Sequence, residues 1–230
     1  MKLLKKLLVT IILVVLIISS IVIYRGHKLY TEAVDKVSID KKIEEIKARK
    51  NYTESSKIPQ DFKNAIIAIE DHRFYNHGAI DIISIGRSVV TNIKNMDLVE
   101  GGSTITQQLA KNMYFSQEKK FERKIAELFV AFDLQKELSK DDILELYLNI
   151  IYFGDGYTGI GNASLGYFNK KPNELTLSEV TLLAGLPNAP SAYALSSNST
   201  LAKERQNMVI DAMYTYKYID ETTFNSLKKK

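Results

Sequence analysis

The 230-residue sequence contains no cysteine and three histidines, and these two shortages exclude several kinds of functional site. Without cysteine, the chain can form no disulfide framework and no thiolate site. With His27, His72 and His77 alone and no H-E-x-x-H segment, it cannot build a histidine-rich metal site. Any catalytic site must therefore be assembled from carboxylate, hydroxyl, amide and cationic side chains.

The chain beyond its N-terminus also lacks an excess of positive charge. Residues 1–28 carry five Lys or Arg and no Asp or Glu, which leaves 26 basic against 27 acidic residues in the remainder. A protein that binds nucleic acid without sequence preference needs a broad basic face. The composition therefore predicts no nucleic-acid partner.

One long apolar run lies near the N-terminus. Leu7 to Tyr24 is 18 residues without a charge, and Lys or Arg residues flank it on both sides. At about 1.5 Å per residue, this run reaches roughly 27 Å as a helix, close to the bilayer core of about 30 Å. A cleavable signal peptide has a shorter apolar region that ends in small residues, and residues 19–24 match that poorly. We therefore predict an uncleaved membrane anchor over residues 1–28.

The charges do not decide which way this anchor is oriented, because the positive-inside rule needs an asymmetry between the two flanks. Beyond it, residues 29–57 are polar with thinly spaced apolar positions, and we interpret them as a polar stalk that is partly helical. Residues 58–230 then form one domain of a size that supports its own core.

Helical patterns dominate that domain. Pro59 opens a segment in which Phe62, Ala65, Ile66 and Ile69 recur at helical spacing, and Glu70 directly follows this apolar face. A carboxylate at that point should lie at the rim of the packed interior. Helix N-terminal signals recur later at Thr104-x-x-Gln107, Ser139-x-x-Asp142 and Thr176-x-x-Glu179, the last helix ending at Gly185, and a long helical pattern spans Thr200 to Tyr216.

A further helix is predicted around residue 127. Its expected buried stripe consists of Phe121, Ile125, Leu128, Phe129 and Phe132, with Arg123 and Glu127 as an i, i+4 pair off that stripe. Alternating strand patterns are few throughout. The fold class predicted from the sequence is mainly α.

Three short polar clusters are the strongest functional signal. They are Glu70 to His77, Gly101 to Asn112 and Arg123 to Glu127, and together they offer two carboxylates, three cations and several amides and hydroxyls. Each has a plain alternative: a solvated helix end, a helix cap, or a surface ion pair contributing about 0.3–0.5 kcal/mol. Their occurrence within 58 residues favours a shared site.

These clusters resemble the motifs of the peptidoglycan glycosyltransferases of family 51, the transglycosylase domain of class A penicillin-binding proteins. The first motif corresponds to Glu70-Asp71-x-x-Phe74-x-x-His77 followed by Asp81, with the glycine one place early at Gly78; the second is matched from Gly101 to Asn112, and the third by Arg123-Lys124-x-x-Glu127. Segments 145–154, 183–193 and 205–209 resemble the later motifs. The similarity covers about residues 55–215, nearly all of the chain beyond the anchor.

The resemblance implies a lysozyme-like, two-lobed helical fold and polymerisation of lipid II with release of undecaprenyl pyrophosphate. It implies Glu70 as general base, Lys111, Arg123 and Lys124 as cations for the pyrophosphate, and Glu127 as a second catalytic carboxylate that orients those cations or helps to bind a divalent metal. The residues expected to shape the sugar and pyrophosphate pocket are Asp71, Phe74, His77, Ser103, Thr104, Gln108 and Asn112, with Arg205 as a further phosphate contact.

The same resemblance sets the expected cofactor, partners and location. A divalent cation, Mg²⁺ or Mn²⁺, is expected near Glu127. No organic cofactor is expected, because the G-x-G-x-x-G match at 154–159 follows a helical pattern and not a strand. The expected partners are lipid II, the nascent glycan strand, the bacterial membrane and other cell-wall synthesis or division proteins. A single-pass protein with a cytoplasmic N-terminus and an extracytoplasmic domain is expected, and because nothing follows Lys230, it resembles the monofunctional members.

Two other functions remain as alternatives. A membrane-anchored muramidase or lytic transglycosylase would also use a buried glutamate in a lysozyme-like fold. A hydrolase of neutral glycosidic bonds, however, has no need of three clustered cations. A non-catalytic scaffold for cell-wall enzymes has no reason to combine these cations with two carboxylates.

Overall fold

The computed structural model describes residues 2–96, 101–116 and 120–229, and within these ranges the regular structure is helical, with no β-strand. This confirms the predicted mainly α class. The α-helices are α1 (Lys2–Lys36), α2 (Ile39–Lys47), α3 (Gln60–Glu70), α4 (Ile82–Asn95), α5 (Ile105–Tyr114), α6 (Phe121–Glu137), α7 (Lys140–Ile150), α8 (Ile160–Phe168), α9 (Leu177–Gly185), α10 (Pro190–Tyr193), α11 (Ser199–Thr215) and α12 (Glu221–Lys228). Short 3₁₀ helices lie at Ser55–Lys57, Phe74–Asn76, Pro172–Glu174 and Leu186–Asn188.

Helix α1 is a single 35-residue helix whose apolar part is long enough to cross a membrane. The side chains of that part are exposed in the isolated chain, as expected of a helix that faces lipid. Near its C-terminal end, α1 packs against α6. Gly26 is buried at this crossing, and a Cβ added there would lie 2.5 Å from Cβ of Ile125. Glycine therefore permits the close approach of the two helices.

The predicted buried stripe of α6 is wrong. The buried residues of this helix are Ala126, Glu127, Val130, Ala131 and Leu134. Of the predicted stripe, Phe121 is 82% exposed and Phe132 is 50% exposed, whereas Ile125 and Phe129 are half-buried on the side that meets α1. Ile125 and Phe129 thus lie beside the N-terminal helix, and a different set of mostly smaller residues faces the core.

The structure also differs from the predicted polar stalk over residues 29–57. Helix α2 lies within this segment and packs against α7, with Ile39 and Ile46 in the core. The backbone N–H of Thr53 donates to Asn149 Oδ1 at 2.7 Å, and the side chain of Asn149 donates back to Thr53 O. Packing thus joins this segment to the domain that was expected to begin at residue 58.

Two groups of helices form the body of the domain. Helices α3, α9 and α11 pack on one another, and α5 packs on α6 and α7. The apolar face predicted for α3 is confirmed for Phe62, Ala65 and Ile66, which are fully buried, while Ile69 is partly buried. A cavity lies where the two groups meet, next to the C-terminal end of α3.

Capping residues fix where several of these helices begin. The boxes predicted at Thr104–Gln107, Ser139–Asp142 and Thr176–Glu179 are all present, each with its reciprocal side-chain and backbone hydrogen bonds. Each box satisfies backbone N–H groups that have no partner within the helix. Helix α9 ends at Gly185, as the sequence predicts.

Helix α4 presents an apolar face that the other described residues do not cover. Five large aliphatic side chains on it are at least half exposed: Ile82, Ile83, Val89, Val90 and Ile93. Asp81 caps this helix by accepting from the backbone N–H groups of Ile83 and Ser84. A contiguous apolar face of this kind is typical of a surface that contacts another molecule or a membrane.

Candidate active site

A cavity of about 550 Å³ gathers side chains from all three polar clusters. Its wall includes the end of α3, the start of α6, and parts of α4, α5 and α11. Seven of the residues predicted from the sequence line it: Glu70, Ser103, Gln108, Lys111, Lys124, Glu127 and Arg205. The prediction that the clusters share one site agrees with this geometry.

Glu70 is the last residue of α3 and extends into this cavity with a side chain that is 10% exposed. Its Oε2 accepts a hydrogen bond from Gln108 Nε2 at 2.8 Å. Its Oε1 has no hydrogen-bond partner among the described residues; Nη2 of Arg205 lies 3.7 Å away. The carboxylate of Glu70 thus lines the cavity with one oxygen in a hydrogen bond and the other, buried, oxygen without one among the described residues.

Positive charge is concentrated on the α5 and α6 side of the cavity. Nζ of Lys124 donates to Ser103 Oγ at 2.7 Å and lies 3.3 Å from Glu127 Oε2. Burial lowers the pKa of Lys124 to about 8, and the charges of Arg123 and Lys111 act in the same direction. Burial and Arg123 likewise lower the pKa of Lys111, against the opposing charge of Glu70. Cations crowded in this way favour an anion that neutralises them.

Glu127 is buried beneath these cations, with a side chain 1% exposed. Arg123 donates to its Oε1, and Lys124 faces its Oε2. A divalent cation here would displace one of these pairs and would lie beside positive side chains. The donor set therefore does not fit the metal that was expected near Glu127.

Four of the predicted pocket residues lie behind the cavity wall and contact protein groups. Asp71 Oδ2 accepts from the backbone N–H of Ile105 at 3.0 Å, and its Oδ1 lies 2.7 Å from His77 Nε2. Thr104 caps α5 and donates to a backbone carbonyl at 2.7 Å, and Phe74 is fully buried. These residues shape the cavity by fixing the start of α5 without lining it.

Asp71, His77 and Asp81 lie close enough to one another to raise the question of a metal site. Their ligand atoms are already engaged, because His77 pairs with Asp71, and Asp81 accepts from α4 and from Arg73 at 3.0 Å. Burial opposes ionisation of Asp81, yet hydrogen bonds from Ser84 and the charge of Arg73 lower its pKa to about 2. The cluster is a hydrogen-bonded support for the loop before α4.

A second cavity of about 420 Å³ adjoins the first. The two share Gln108 and Lys111, and Asn112 lines the second one, where its side chain donates to the backbone carbonyl of Gln108 at 2.9 Å. Arg123, by contrast, lines neither cavity and reaches the site through Glu127.

The sequence analysis missed several residues of the site. His72, Arg87 and Tyr216 line the main cavity; the rings of His72 and Tyr216 are stacked with centroids 4.2 Å apart, and Arg87 Nη1 lies 3.0 Å from His72 Nε2. The hydroxyl of Tyr147 donates a hydrogen bond to Gln108 Oε1. Tyr147 stands within the fourth motif segment, which could have indicated it, whereas Arg87 lies on α4, a helix that the sequence analysis did not identify.

Comparison with known proteins adds to this geometry. The family profile described as Transglycosylase matches residues 39–214. Penicillin-binding protein 1A of Neisseria cinerea is 47% identical over 171 residues, 74% of this chain and 21% of that protein. Penicillin-binding protein 1F of Bacillus subtilis strain 168 is 42% identical over 233 residues, 94% of this chain and 32% of that protein.

Among solved structures, penicillin-binding protein 1A of Haemophilus influenzae is 24% identical, with a TM-score of 0.45 over 78% of this chain and 17% of that one. The chain thus spans 21% to 32% of the length of the two curated relatives described above. The matched region of the family profile begins at the first residue of α2 and ends within α11, so it includes every residue of the cavity up to Ala212.

Proposed function

The chain belongs to the transglycosylase family, and on that premise we propose that it is a peptidoglycan glycosyltransferase that polymerises lipid II into β-1,4-linked glycan strands. The observation that carries the proposal is the pairing, within one cavity, of a buried carboxylate oxygen without a hydrogen-bond partner among the described residues and a cluster of cations. In a glycosyl transfer from a diphosphate to a hydroxyl, a carboxylate can take the proton of the attacking hydroxyl. The cations can neutralise the departing diphosphate.

Glu70 acts as the general base in this proposal. The 4-hydroxyl of an acceptor GlcNAc attacks the anomeric carbon of a donor MurNAc, and the carboxylate of Glu70 takes the hydroxyl proton as the new C–O bond forms. The bond from the anomeric carbon to undecaprenyl pyrophosphate breaks on the opposite face, so the configuration inverts. A sugar hydroxyl is a weak nucleophile at neutral pH, which is why the base is needed.

Lys111, Lys124 and Arg123 stabilise the departing pyrophosphate. The leaving group carries its charge away from the sugar, so it needs neutralising cations more than a proton donor. Lys111 and Lys124 line the cavity and provide point charges for it, whereas Arg123 contributes positive charge from beside Glu127. Arg205, at the opposite wall beside Glu70, is placed for a further phosphate oxygen.

Glu127 serves this cluster by holding its cations in place. Its ion pairs with Arg123 and Lys124 hold these two adjacent positive side chains on the same side of α6 despite their mutual repulsion. Because both oxygens of Glu127 are engaged, no step of the proposed reaction is routed through a divalent cation. A metal that accompanied the substrate would take its oxygen ligands from the diphosphate.

Membrane attachment fits this chemistry, because both substrates carry polyprenyl tails. We propose that α1 spans the bilayer once, with a cytoplasmic N-terminus and an extracytoplasmic catalytic domain. The exposed aliphatic face of α4 would then rest in the membrane surface. The nascent glycan strand and other cell-wall synthesis or division proteins are proposed partners on the same side.

Incubation of the purified chain with two substrates separates this function from its alternatives. With labelled lipid II, we expect glycan chains that lengthen with time and released undecaprenyl pyrophosphate. With finished peptidoglycan, we expect no soluble fragments. Release of fragments without polymer would indicate a muramidase or lytic transglycosylase, and no turnover of either substrate would favour a scaffold.

A further inference from the structure

Glu70 accepts a hydrogen bond from the side-chain amide of Gln108, and this amide could adopt either of two orientations. The amide of Gln108 has a donor NH₂ end and an acceptor oxygen end of nearly the same shape. With the NH₂ end toward Glu70, the amide stabilises the carboxylate; with the oxygen end toward Glu70, it would repel it. The orientation of this amide therefore decides how the base is held.

Tyr147 lies at the other end of the amide. Its hydroxyl donates to Gln108 Oε1 at 2.9 Å, while Gln108 Nε2 donates to Glu70 Oε2 at 2.8 Å. The side chain of Tyr147 is fully buried on α7. Burial raises the pKa of Tyr147 well above its usual range, and the charges of Glu70 and Asp71 act in the same direction. The hydroxyl therefore keeps its proton and remains a donor at any working pH.

Other charged groups face Glu70 without fixing its orientation. From α11, Arg205 Nη2 lies 3.7 Å from Oε1, which is longer than a hydrogen bond. From α5, the positive charge of Lys111 interacts with Glu70. Asp71 follows Glu70 in the chain and is committed to His77 and the start of α5. Among the described residues, Gln108 supplies the directional contact.

We propose that Tyr147 is a positioning residue for Glu70, which it controls through Gln108. By holding the amide oxygen, it turns the NH₂ group toward Oε2 and so fixes the orientation of the carboxylate. The inference rests on the proposed glycosyltransferase function for its role in turnover, but the hydrogen-bond relay itself is a property of the chain. Without the hydroxyl, Gln108 Oε1 would be buried without its donor, and the amide would be free to turn.

The isosteric change Tyr147→Phe removes the hydroxyl alone. We expect kcat for lipid II polymerisation to fall about tenfold, while KM changes less than about twofold, because Tyr147 does not line the main cavity. We also expect the acid limb of the pH–rate profile to move to higher pH, because the carboxylate loses a hydrogen bond to its charged form.

A double-variant cycle tests whether Tyr147 acts through Gln108. Gln108→Met keeps the side-chain volume and removes both hydrogen bonds. In that background, adding Tyr147→Phe should change kcat by less than about twofold, because the relay is already broken. If Tyr147→Phe instead lowers kcat by the same factor in the Gln108→Met background as in the wild type, Tyr147 acts by another route and the proposal is overturned.

Tyr114→Phe is the matched control. Tyr114 lies on α5, as Gln108 does, and its half-buried hydroxyl donates to the backbone carbonyl of Val37 at 2.9 Å, outside the cavity. This change should lower the thermal unfolding midpoint without moving the pH–rate profile. An acid limb that moves equally in Tyr114→Phe and Tyr147→Phe would reduce Tyr147 to a general structural role.

A readout without turnover separates this proposal from the proposed function. In protein labelled with ¹³C at the glutamate carboxyl groups, the Glu70 signal is identified by its loss in Glu70→Gln and followed against pH. We expect its titration midpoint to lie at higher pH in Tyr147→Phe than in the wild type, because the carboxylate loses a hydrogen bond to its charged form. An unchanged midpoint overturns the positioning role even if lipid II is polymerised, whereas a shifted midpoint supports it even if lipid II is not the substrate. Should Tyr147→Phe not fold, Gln108→Met must show the same shift, and an unshifted midpoint there overturns the proposal.

Discussion

At the scale of single residues, the two carboxylates of the cavity differ in what holds them. Glu127 has cations at both oxygens, whereas Glu70 has one oxygen in a hydrogen bond to Gln108 and one without such a partner among the described residues. This difference supports the proposed roles of Glu70 as a base and of Glu127 as an anion that orients cations. The sequence predicted that both residues belong to one site, and both line the same cavity.

The pKa of Lys124 makes pyrophosphate binding depend on pH. The charged form of Lys124 is lost as pH rises through about 8, so the affinity for inorganic pyrophosphate should fall by up to about tenfold between pH 7 and pH 9. In Lys124→Arg the affinity should stay nearly constant over this range, because arginine keeps its charge. Isothermal titration calorimetry measures both, with Lys136→Arg on the exposed side of α6 as control. An equal loss of affinity in Lys124→Arg would contradict this assignment.

His77 contributes stability in a definite pH window. Burial alone would lower the pKa of His77, but the hydrogen bond and charge of Asp71 outweigh burial and raise it. A raised pKa means that the contribution is fully present below the unfolded value of about 6.5 and is lost as pH rises through the folded value. Urea unfolding should therefore show a larger stability loss for His77→Gln at pH 6 than at pH 8. The pKa of His72 is lowered, chiefly by burial, so a His72→Gln comparison should show the opposite trend. An equal loss at both pH values for His77→Gln would exclude a charged pair.

At the scale of secondary-structure elements, the helix N-termini at Thr104, Ser139 and Thr176 could be predicted because capping depends on residues within one turn. The buried face of α6 could not. Periodicity alone assigned its large residues to the core, but α1 covers part of that surface, and the core side is occupied by smaller residues and Glu127. The packing of α2 on the domain could not be predicted either, because its three isoleucines, Ile39, Ile43 and Ile46, alternate with charged residues and do not show which surface they meet.

The close packing of α1 on α6 depends on Gly26 at their crossing. Gly26→Leu should lower stability by about 1–3 kcal/mol, because a Cβ at this position would overlap Ile125 and the backbone oxygen of Glu122. The matched control is Gly86→Ala on α4, where an added Cβ meets nothing within 4 Å and alanine favours the helix. Chemical unfolding of the detergent-solubilised chain compares the two. An unchanged unfolding free energy for Gly26→Leu would show that α1 does not pack on α6 in this way.

At the scale of the whole molecule, the sequence predicted a membrane anchor followed by one helical domain. Three motifs in it indicated many of the residues that line the main cavity. The sequence could not predict the relay from Tyr147 to Glu70, because its members lie on three helices and meet only through tertiary packing. Nor did it indicate the apolar face of α4, which places aliphatic side chains on the outside of the domain.

The absence of tryptophan from the chain makes the membrane contact of α4 measurable. With a single tryptophan in place of Val90, which is 52% exposed on α4, we expect brominated lipids to quench its fluorescence in reconstituted vesicles. With the tryptophan in place of Thr222 on α12, we expect little quenching. Equal quenching at the two positions would mean that the apolar face of α4 does not rest in the bilayer.

The proton-accepting role of Glu70 is the central claim, and Glu70→Gln tests it most directly. The purified variant is compared with wild type, and with Glu44→Gln on the exposed surface of α2, for binding and polymerisation of labelled lipid II. We expect Glu70→Gln to bind lipid II as the wild type does and to lose polymerisation by at least about 10², whereas Glu44→Gln should behave as wild type. Glycan synthesis at the wild-type rate by Glu70→Gln would contradict the claim.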